Sequence, residues 1–361
     1  MILTGDTIEQ MRTLSDGCVR CCVTSPPYWG LRDYGVAGQI GREKTPEEYV
    51  EKMVNVFREV RRLLATDGTL WLNLGDSFYG SGANYSGGNR GAGKQRLIKS
   101  GSSAQNPCWD GMEEYRPPGT FKHPSLKPKD LIGIPWRVAF ALQADGWWLR
   151  SDIVWTKPNP MPESVTDRPT RSHEYIFLMT KSDRYYYDHE AIKEPGSASS
   201  VARLNQPSFD TQTGGPKDTK TGNRSCRKVL ENLHRSEKQR GHGRRHAGFN
   251  DRWDGMSKEE QCSLMRNKRD VWNVPTHPFP EAHFAVFPED LIKPCILAGS
   301  ATGDTVLDPF SGSGTTGVVA QRYGREYIGI ELNAEYTAMS EKRIGRETIG
   351  FSFVNSLGSG E

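Results

Sequence analysis

Two short stretches, far apart in the chain, carry residue types that could do chemistry. The first is "TSPPY", Thr24 to Tyr28, which sets a hydroxyl, two prolines and a phenol ring directly after the apolar run Cys21–Val23. Proline locks its own φ, lacks an N–H and pushes the preceding residue toward extended geometry. Pro26 and Pro27 therefore end a strand and form a rigid ledge, on which the Ser25 hydroxyl, the Pro26 carbonyl and the Tyr28 ring keep a fixed relation. In open α/β sheets the C-terminal end of a strand is where ligands bind.

The second stretch is "DPFSGSGTTG", Asp308 to Gly317, in which Gly312, Gly314 and Gly317 match G-x-G-x-x-G, and Glu331 follows Asp308 by 23 residues. Glycines there allow a tight turn and close backbone approach to a ligand, and a carboxylate at the tip of the next strand can accept from both ribose hydroxyls. An adenosine-containing cofactor follows, either a nicotinamide dinucleotide or S-adenosylmethionine. A pyrophosphate on the helix N-terminus would be repelled by an Asp just before the turn. Asp308 suits a cationic cofactor better, and S-adenosylmethionine carries both a sulfonium and an ammonium group.

The elements that must position these stretches are legible in the surrounding pattern. "MILTG" reads as a strand, "TIEQMRTL" as a helix and "CVRCCVTS" as a second strand ending at the ledge. From Thr45 a helix is announced by an N-cap, Pro46 in its first turn and Glu48 completing a capping box, with Gly68 as its stop. "TLWLNLGD" is a nearly continuous apolar strand, as expected where helices cover both faces. "LIGIPWRVAFALQADG" reads as a helix, "WLRSDIVWTK" and "HEYIFLMTK" as strands, and "FPEDLIKPCILAG" as a helix holding Pro294. From Asp304 the chain reads strand, Gly-rich turn, helix, strand, helix, a βαβα unit with a parallel sheet.

The 361 residues, 35% hydrophobic and 10% aromatic with 38 Gly and 22 Pro, describe a globular core with large irregular insertions. The net charge of +3 is unevenly spread. Residues 190–275 hold 17 Lys/Arg against 11 Asp/Glu and residues 81–130 hold 8 against 4, so the remainder carries −7. Two basic inserts on an acidic scaffold suit a polyanion, because Lys and Arg contacts to phosphates supply most non-specific nucleic-acid affinity. Residues 80–101, with seven glycines, read as a mobile loop. No apolar run reaches the roughly 18 residues of a membrane span, and the N-terminus has no signal-peptide pattern. Seven cysteines make no disulfide framework, and Cys18, Cys21 and Cys22 lack a second pair at zinc-site spacing, so no metal is expected. A reducing cytoplasm follows.

"TSPPY" taken with "DPFSGSGTTG" resembles the amino-methylating DNA methyltransferases of the circularly permuted β order, whose catalytic motif (S/N/D)PP(Y/F/W) precedes a cofactor motif F-x-G-x-G. The resemblance covers roughly residues 1–80, 130–190 and 280–345. It implies a Rossmann-like, mixed but mostly parallel α/β sheet of the class I S-adenosylmethionine-dependent methyltransferases, with an inserted basic target-recognition region. The domain reading is 1–190 as the catalytic part with a DNA-binding loop at about 80–120, 191–275 as the recognition insert, 276–346 as the cofactor part and 347–361 as a tail. The Ser at position 25, "TSPPYWGLRDYG" and "WLNLGDSF" look like the group methylating the N4 amine of cytosine, whereas adenine-N6 enzymes usually show Asp.

By the same resemblance, Ser25, Pro26, Pro27, Tyr28 and Asp76 are catalytic candidates, with Tyr28 stacking on a base flipped out of duplex DNA. Asp6, Thr24, Phe287, Pro288, Asp308, Phe310, Ser311, Gly312, Ser313, Gly314, Thr315, Glu331 and Leu332 are cofactor candidates. Trp29, Arg32, Lys94, Arg96, Lys228, Arg244 and Arg245 are candidates for contacting DNA. The partners implied are double-stranded DNA and a cognate restriction endonuclease, with an orphan or phage enzyme as the other setting and a monomer or homodimer as the assembly. Its place would be the cytoplasm of a bacterial, archaeal or phage-infected cell.

The chemistry agrees on the reaction without deciding the base. An exocyclic amine conjugated to its ring is a poor nucleophile, and hydrogen bonds from it to Ser25 and to the Pro26 carbonyl would draw its lone pair out of conjugation as the methyl group arrives. The Pro-Cys nucleophile of cytosine-C5 enzymes is absent at the ledge. The readings set against this one are an adenine-N6 enzyme, an RNA or protein-glutamine amine methyltransferase, a non-catalytic DNA-binding relative, and a PPY ligand for a WW-type module; the last requires an exposed polyproline segment rather than a strand end.

Overall fold

The computed structural model describes residues 1–31, 34–79, 123–196, 265–276 and 287–357, with side chains to 347 in the last helix. The N-terminal half supplies β1 (Ile2–Thr4), α1 (Thr7–Arg12), β2 (Val19–Thr24), α2 (Pro46–Leu63), β3 (Leu64–Leu74), α3 (Ile134–Ala144), β4 (Trp148–Thr156) and β5 (His173–Thr180). After them come β6 (Glu194–Pro195), β7 (Met265–Arg266), β8 (Val271–Asn273), α4 (Glu289–Gly299), β9 (Thr305–Asp308), α5 (Thr315–Arg322), β10 (Glu326–Glu331) and α6 (Ala334–Leu357).

Eight strands form one sheet in the order β1-β10-β9-β2-β3-β5-β4-β8. Its pairs are parallel except those that β5 makes with β3 and with β4. From β9 the chain passes through α5 to β10 on one side, and from β2 through α2 to β3 on the other, so the topological switch point lies between β9 and β2. Cys21 and Cys22 pair there with Val306 and Leu307. This pairing sets the two chemical stretches side by side, at the strand ends where such sheets bind ligands.

Local chemistry explains the element boundaries. Thr45 Oγ1 accepts from the Glu48 N–H at 3.2 Å, and Glu48 reaches back to the N–H of Lys44 at 3.0 Å, one residue beyond the usual capping-box partner. Helix α2 stops at Leu63, earlier than the Gly68 stop read from the sequence. Leu64 already pairs with Val19, and a register shift follows before Cys21 pairs with Thr69, so strand pairing overrides helical continuation. The apolar face of α2, with Tyr49, Met53, Val56, Phe57, Val60 and Leu63, is fully buried with Leu70, Leu72 and Leu74 of β3 and Val138 and Leu142 of α3.

The chain divides into two compact units, Met1–Ala191 with Arg269–Glu361, and Ile192–Lys268. In the second, β6 and β7 form an antiparallel ribbon in which Arg266 pairs with Glu194 at 3.0 Å. Within the stretch read as an insert ending at 275, Val271–Asn273 instead adds β8 to the main sheet, parallel to Val154–Thr156. Helix α6 runs on to Leu357, through most of the segment read as a tail. Among the described residues no helix is long and apolar enough to cross a membrane, and no group of three His, Cys, Asp or Glu could hold a metal ion.

Candidate active site

The two stretches meet in one hydrogen bond, from Thr24 Oγ1 at the end of β2 to Asp308 Oδ1 at the end of β9, 2.6 Å long. Asp308 is 1% exposed. Its Oδ1 also accepts from the Phe310 N–H at 3.1 Å, and Oδ2 accepts from Thr316 Oγ1 at 2.7 Å. All three donors are neutral. Burial pushes the Asp308 carboxyl up to about 6, against those hydrogen bonds, and the negative charge of Glu331 adds to the rise.

Glu331, at the tip of β10, accepts from Gly312 N–H at 2.8 Å and from Asn333 N–H at 2.9 Å, and burial raises its carboxyl as well. Gly5 donates its N–H to the Glu331 carbonyl at 2.9 Å, which brings Asp6 to the same edge. Asp6 caps α1 through Oδ1, accepting from Ile8 and Glu9 at 2.9 and 3.1 Å. Among the described residues no Lys or Arg pairs with any of these three carboxylates. An acidic seat held by neutral donors fits a cationic ligand, and so meets the test that a sulfonium cofactor sets.

Behind the turn, Ser311 bonds to Tyr327 Oη at 2.9 Å, and Arg343 donates to the Ser313 carbonyl at 2.7 Å and to Thr315 Oγ1 at 3.2 Å. These three candidate side chains, all buried, thus build the turn from within. Gly314 has φ +78°, and a Cβ there would run into the Ser340 hydroxyl, so the turn closes only over glycine. Phe310 packs half-buried against the core, Leu332 is half-buried beside Glu331, and Phe287 and Pro288 lead into α4.

At the ledge, the Pro27 carbonyl accepts from Tyr49 Oη at 2.9 Å, whereas no described residue donates to the Pro26 carbonyl. Tyr28 is half-buried, and its ring lies against Gly75 so closely that a Cβ there would enter the ring. Its hydroxyl donates to Glu174 Oε2 at 2.7 Å, has Asn73 Oδ1 at 3.1 Å, and receives Ser25 Oγ at 3.3 Å. Burial and the Glu174 charge raise the phenol well above its ordinary value, so it remains a donor.

Two candidates change character. Trp29, read as a DNA contact that could extend the Tyr28 platform, is 1% exposed, sits in the core and donates its indole N–H to the Glu43 carbonyl at 2.9 Å. Asp76 accepts from the N–H groups of Ser77, Gly133 and Ile134 at 2.9 to 3.0 Å, which fastens the end of β3 to the start of α3. Arg32, Lys94, Arg96, Lys228, Arg244, Arg245 and the loop at 80–120 up to residue 122 lie outside the described residues. Sequence reading missed Asn73, Lys157 and Glu174. Their only sequence signal was polar residues at the ends of otherwise apolar strands.

A family model described as DNA methylase matches residues 19–342. The Type II methyltransferase M.SmaI of Serratia marcescens is 45% identical over 345 residues, covering 96% of this chain and 90% of that protein. M.Cfr9I of Citrobacter freundii, another Type II methyltransferase, is 45% identical over 347 residues, covering 96% and 88%. Among solved structures, the PvuII DNA methyltransferase, cytosine-N4-specific, superposes with a TM-score of 0.55 at 16% identity, over 95% of this chain and 85% of that one. A protein of Thermus thermophilus assigned as a DNA modification methylase, solved with S-adenosyl-L-methionine, gives 0.50 at 20% identity over 96% and 95%. These two likenesses extend the agreement on the mixed, mostly parallel sheet.

Proposed function

Because the chain belongs to the DNA methylase family, we propose that it transfers a methyl group from S-adenosylmethionine to the exocyclic N4 amine of a cytosine flipped out of duplex DNA. The observation that carries this reading is the Thr24–Asp308 hydrogen bond, which sets the ledge against the acidic seat. S-adenosylmethionine, when bound, would supply an electrophilic methyl on a sulfonium, leaving as the neutral thioether S-adenosylhomocysteine while the proton shed by the methylated amine passes to solvent. Asp308, Glu331 and Asp6 supply the negative charge that attracts it, Gly312 lets the backbone approach it, and Gly314 closes the turn against Ser340.

On the ledge, Ser25 Oγ and the Pro26 carbonyl accept the two N–H bonds of the target amine. The Pro26 carbonyl, free of donors within the described residues, is the acceptor available for this. These bonds strengthen as nitrogen becomes tetrahedral, so they favour the transition state over the ground state, and every 1.4 kcal/mol so gained is about tenfold in rate. The Tyr28 ring, seated on Gly75, stacks on the base. Asp76 acts as a fastener rather than as a group that meets the substrate.

Ser25, in place of the Asp usual in adenine enzymes, supports cytosine as the target. The Type II relatives support a cytoplasmic enzyme paired with a restriction endonuclease of the same specificity. Incubating the protein with tritiated S-adenosylmethionine and duplex DNA should yield labelled N4-methylcytosine on digestion. Recovery of N6-methyladenine alone would overturn the choice of base, and cofactor binding without transfer to any DNA would favour a non-catalytic DNA-binding protein.

A further inference from the structure

We propose that Glu174 is a positioning residue for methyl transfer: through the Tyr28 hydroxyl it sets the direction of hydrogen bonding at Ser25, so that Ser25 Oγ meets the target amine as an acceptor. The inference rests on the reading of Ser25 and Tyr28 given above.

Strand β5 runs antiparallel to its neighbours, so its first residues arrive at the edge where β2 and β3 end. Leu74 pairs with Tyr175, which leaves Glu174 beside Gly75 and the ring above it. Both carboxylate oxygens are engaged. Oε1 forms an ion pair with Lys157, whose ammonium lies 4.4 Å from the Trp155 ring centre, and Oε2 receives the Tyr28 hydroxyl at 2.7 Å with Asn73 Nδ2 at 3.4 Å.

An ionised carboxylate has no hydrogen to give, so Tyr28 must donate to it. A phenol has one hydrogen, and spending it on Glu174 at 2.7 Å, the shorter and charged of two acceptor contacts beside Asn73 Oδ1 at 3.1 Å, leaves the phenolic oxygen as an acceptor. Ser25 Oγ, 3.3 Å away, is then the donor in that contact. The single serine hydrogen is thereby turned toward Tyr28, and the lone pairs of Oγ remain for the substrate. A conjugated exocyclic amine offers N–H groups, and acceptors are what draw its lone pair free. Each bond in the chain Ser25–Tyr28–Glu174 polarises the next, and the carboxylate at its end fixes the sense of all of them.

Glu174→Gln keeps the shape but puts an NH2 where an oxygen was; it can donate to Tyr28, whose hydrogen then goes to Asn73 Oδ1, 3.1 Å away, or to Ser25, and in the second case the serine hydrogen is aimed at the substrate. Tyr28→Phe cuts the link and leaves Ser25 free to turn. Steady-state methylation should therefore show kcat for Glu174→Gln reduced roughly tenfold or more, the equivalent of about 1.4 kcal/mol of transition-state stabilisation, with KM for DNA and calorimetric affinity for S-adenosylmethionine within about twofold of the parent. Tyr28→Phe alone should lose about threefold, and the double variant should return to the Tyr28→Phe level, a coupling that a merely structural role for Glu174 would not produce.

Wild-type kcat in Glu174→Gln overturns the inference, as does the same fractional loss in the Tyr28→Phe background. Should Glu174→Gln lose cofactor binding altogether, Tyr28→Phe alone decides, since unchanged turnover there overturns the directional role. Full turnover by Ser25→Ala would overturn the ledge reading and this inference with it. A large loss in Ser25→Ala without coupling between Tyr28 and Glu174 would overturn this inference alone.

Discussion

Asp308→Asn separates what the acidic seat costs the fold from what it does for a ligand. The Asp308 carboxyl is 1% exposed and is raised from 3.8 to about 6. A gap of about two units at about 1.4 kcal/mol each places the cost of ionising it in the ligand-free protein on the order of 3 kcal/mol. The folded state holds this proton more tightly than the unfolded chain does. The associated stability is thus fully present below about pH 4 and is lost as pH rises through about 6. Asparagine mimics the neutral acid: its oxygen keeps the bonds from Thr24 and Phe310, and its NH2 meets Thr316, whose hydroxyl can turn to donate to the Val23 carbonyl, 3.4 Å away. In urea titrations the ligand-free variant should be more stable than the parent by about 1–3 kcal/mol at pH 8, with the difference closing toward pH 4. Calorimetry should show its affinity for S-adenosylmethionine down by at least about tenfold, the worth of roughly 1.4 kcal/mol of lost charge attraction. A variant less stable than the parent at pH 8, or one with unchanged affinity, would refute the reasoning.

Trp29→Ala should cost roughly 3–5 kcal/mol of stability in denaturant titrations, as other buried aromatics do, with the DNA affinity of the folded variant unchanged; a loss of DNA affinity without destabilisation would return Trp29 to the DNA interface. Asp76→Ala should lower stability by about 1–2 kcal/mol, the scale of a lost helix cap, while Asp76→Asn keeps an acceptor and should leave turnover within about threefold, so a hundredfold drop in the Asn variant would make Asp76 a group that meets the substrate. Gly75→Ala drives a methyl into the Tyr28 ring and should reduce kcat about tenfold with cofactor affinity intact, since misplacing a positioned group by even an ångström is costly; equal losses in both would mean that the whole edge has shifted.

Most of the sheet was legible because its strands declare themselves by apolar runs bounded by Pro, Gly and Asp, and its helices by caps such as Thr45 and Pro46. The antiparallel insertion of β5 was not, because "HEYIFLMT" looks the same whichever way it runs, and only its partners Leu70 to Leu74 and Ile153 to Trp155 set the direction. The short strand Val271–Asn273 escaped notice because a polar, charged neighbourhood hid three residues that pair only through a partner more than 110 positions away. In the site, motif spacing located the ledge and the turn. It could not tell Tyr28 from Trp29, two adjacent aromatics of which one lies on Gly75 and the other fills the core. Glu174 and Lys157 were invisible for the same reason, since their meaning arises only when β4 and β5 bring them beside the ring.

The charge pattern acquires a direction once the site is placed. The scaffold that carries the formal −7 also carries Asp6, Asp308 and Glu331 at one edge, fastened by hydroxyl and amide donors that leave their charge uncompensated. Beside it, Glu174 and Lys157 form an ion pair, so under the proposed function the place where a base would lie is nearly neutral while the acidic edge is negative. The surplus Lys and Arg lie in residues 81–130 and 190–275, so under the proposed function those stretches are the ones expected to meet phosphates. On the proposed reading, this partition of charge favours a cation at the acidic edge and a neutral ring at the ledge.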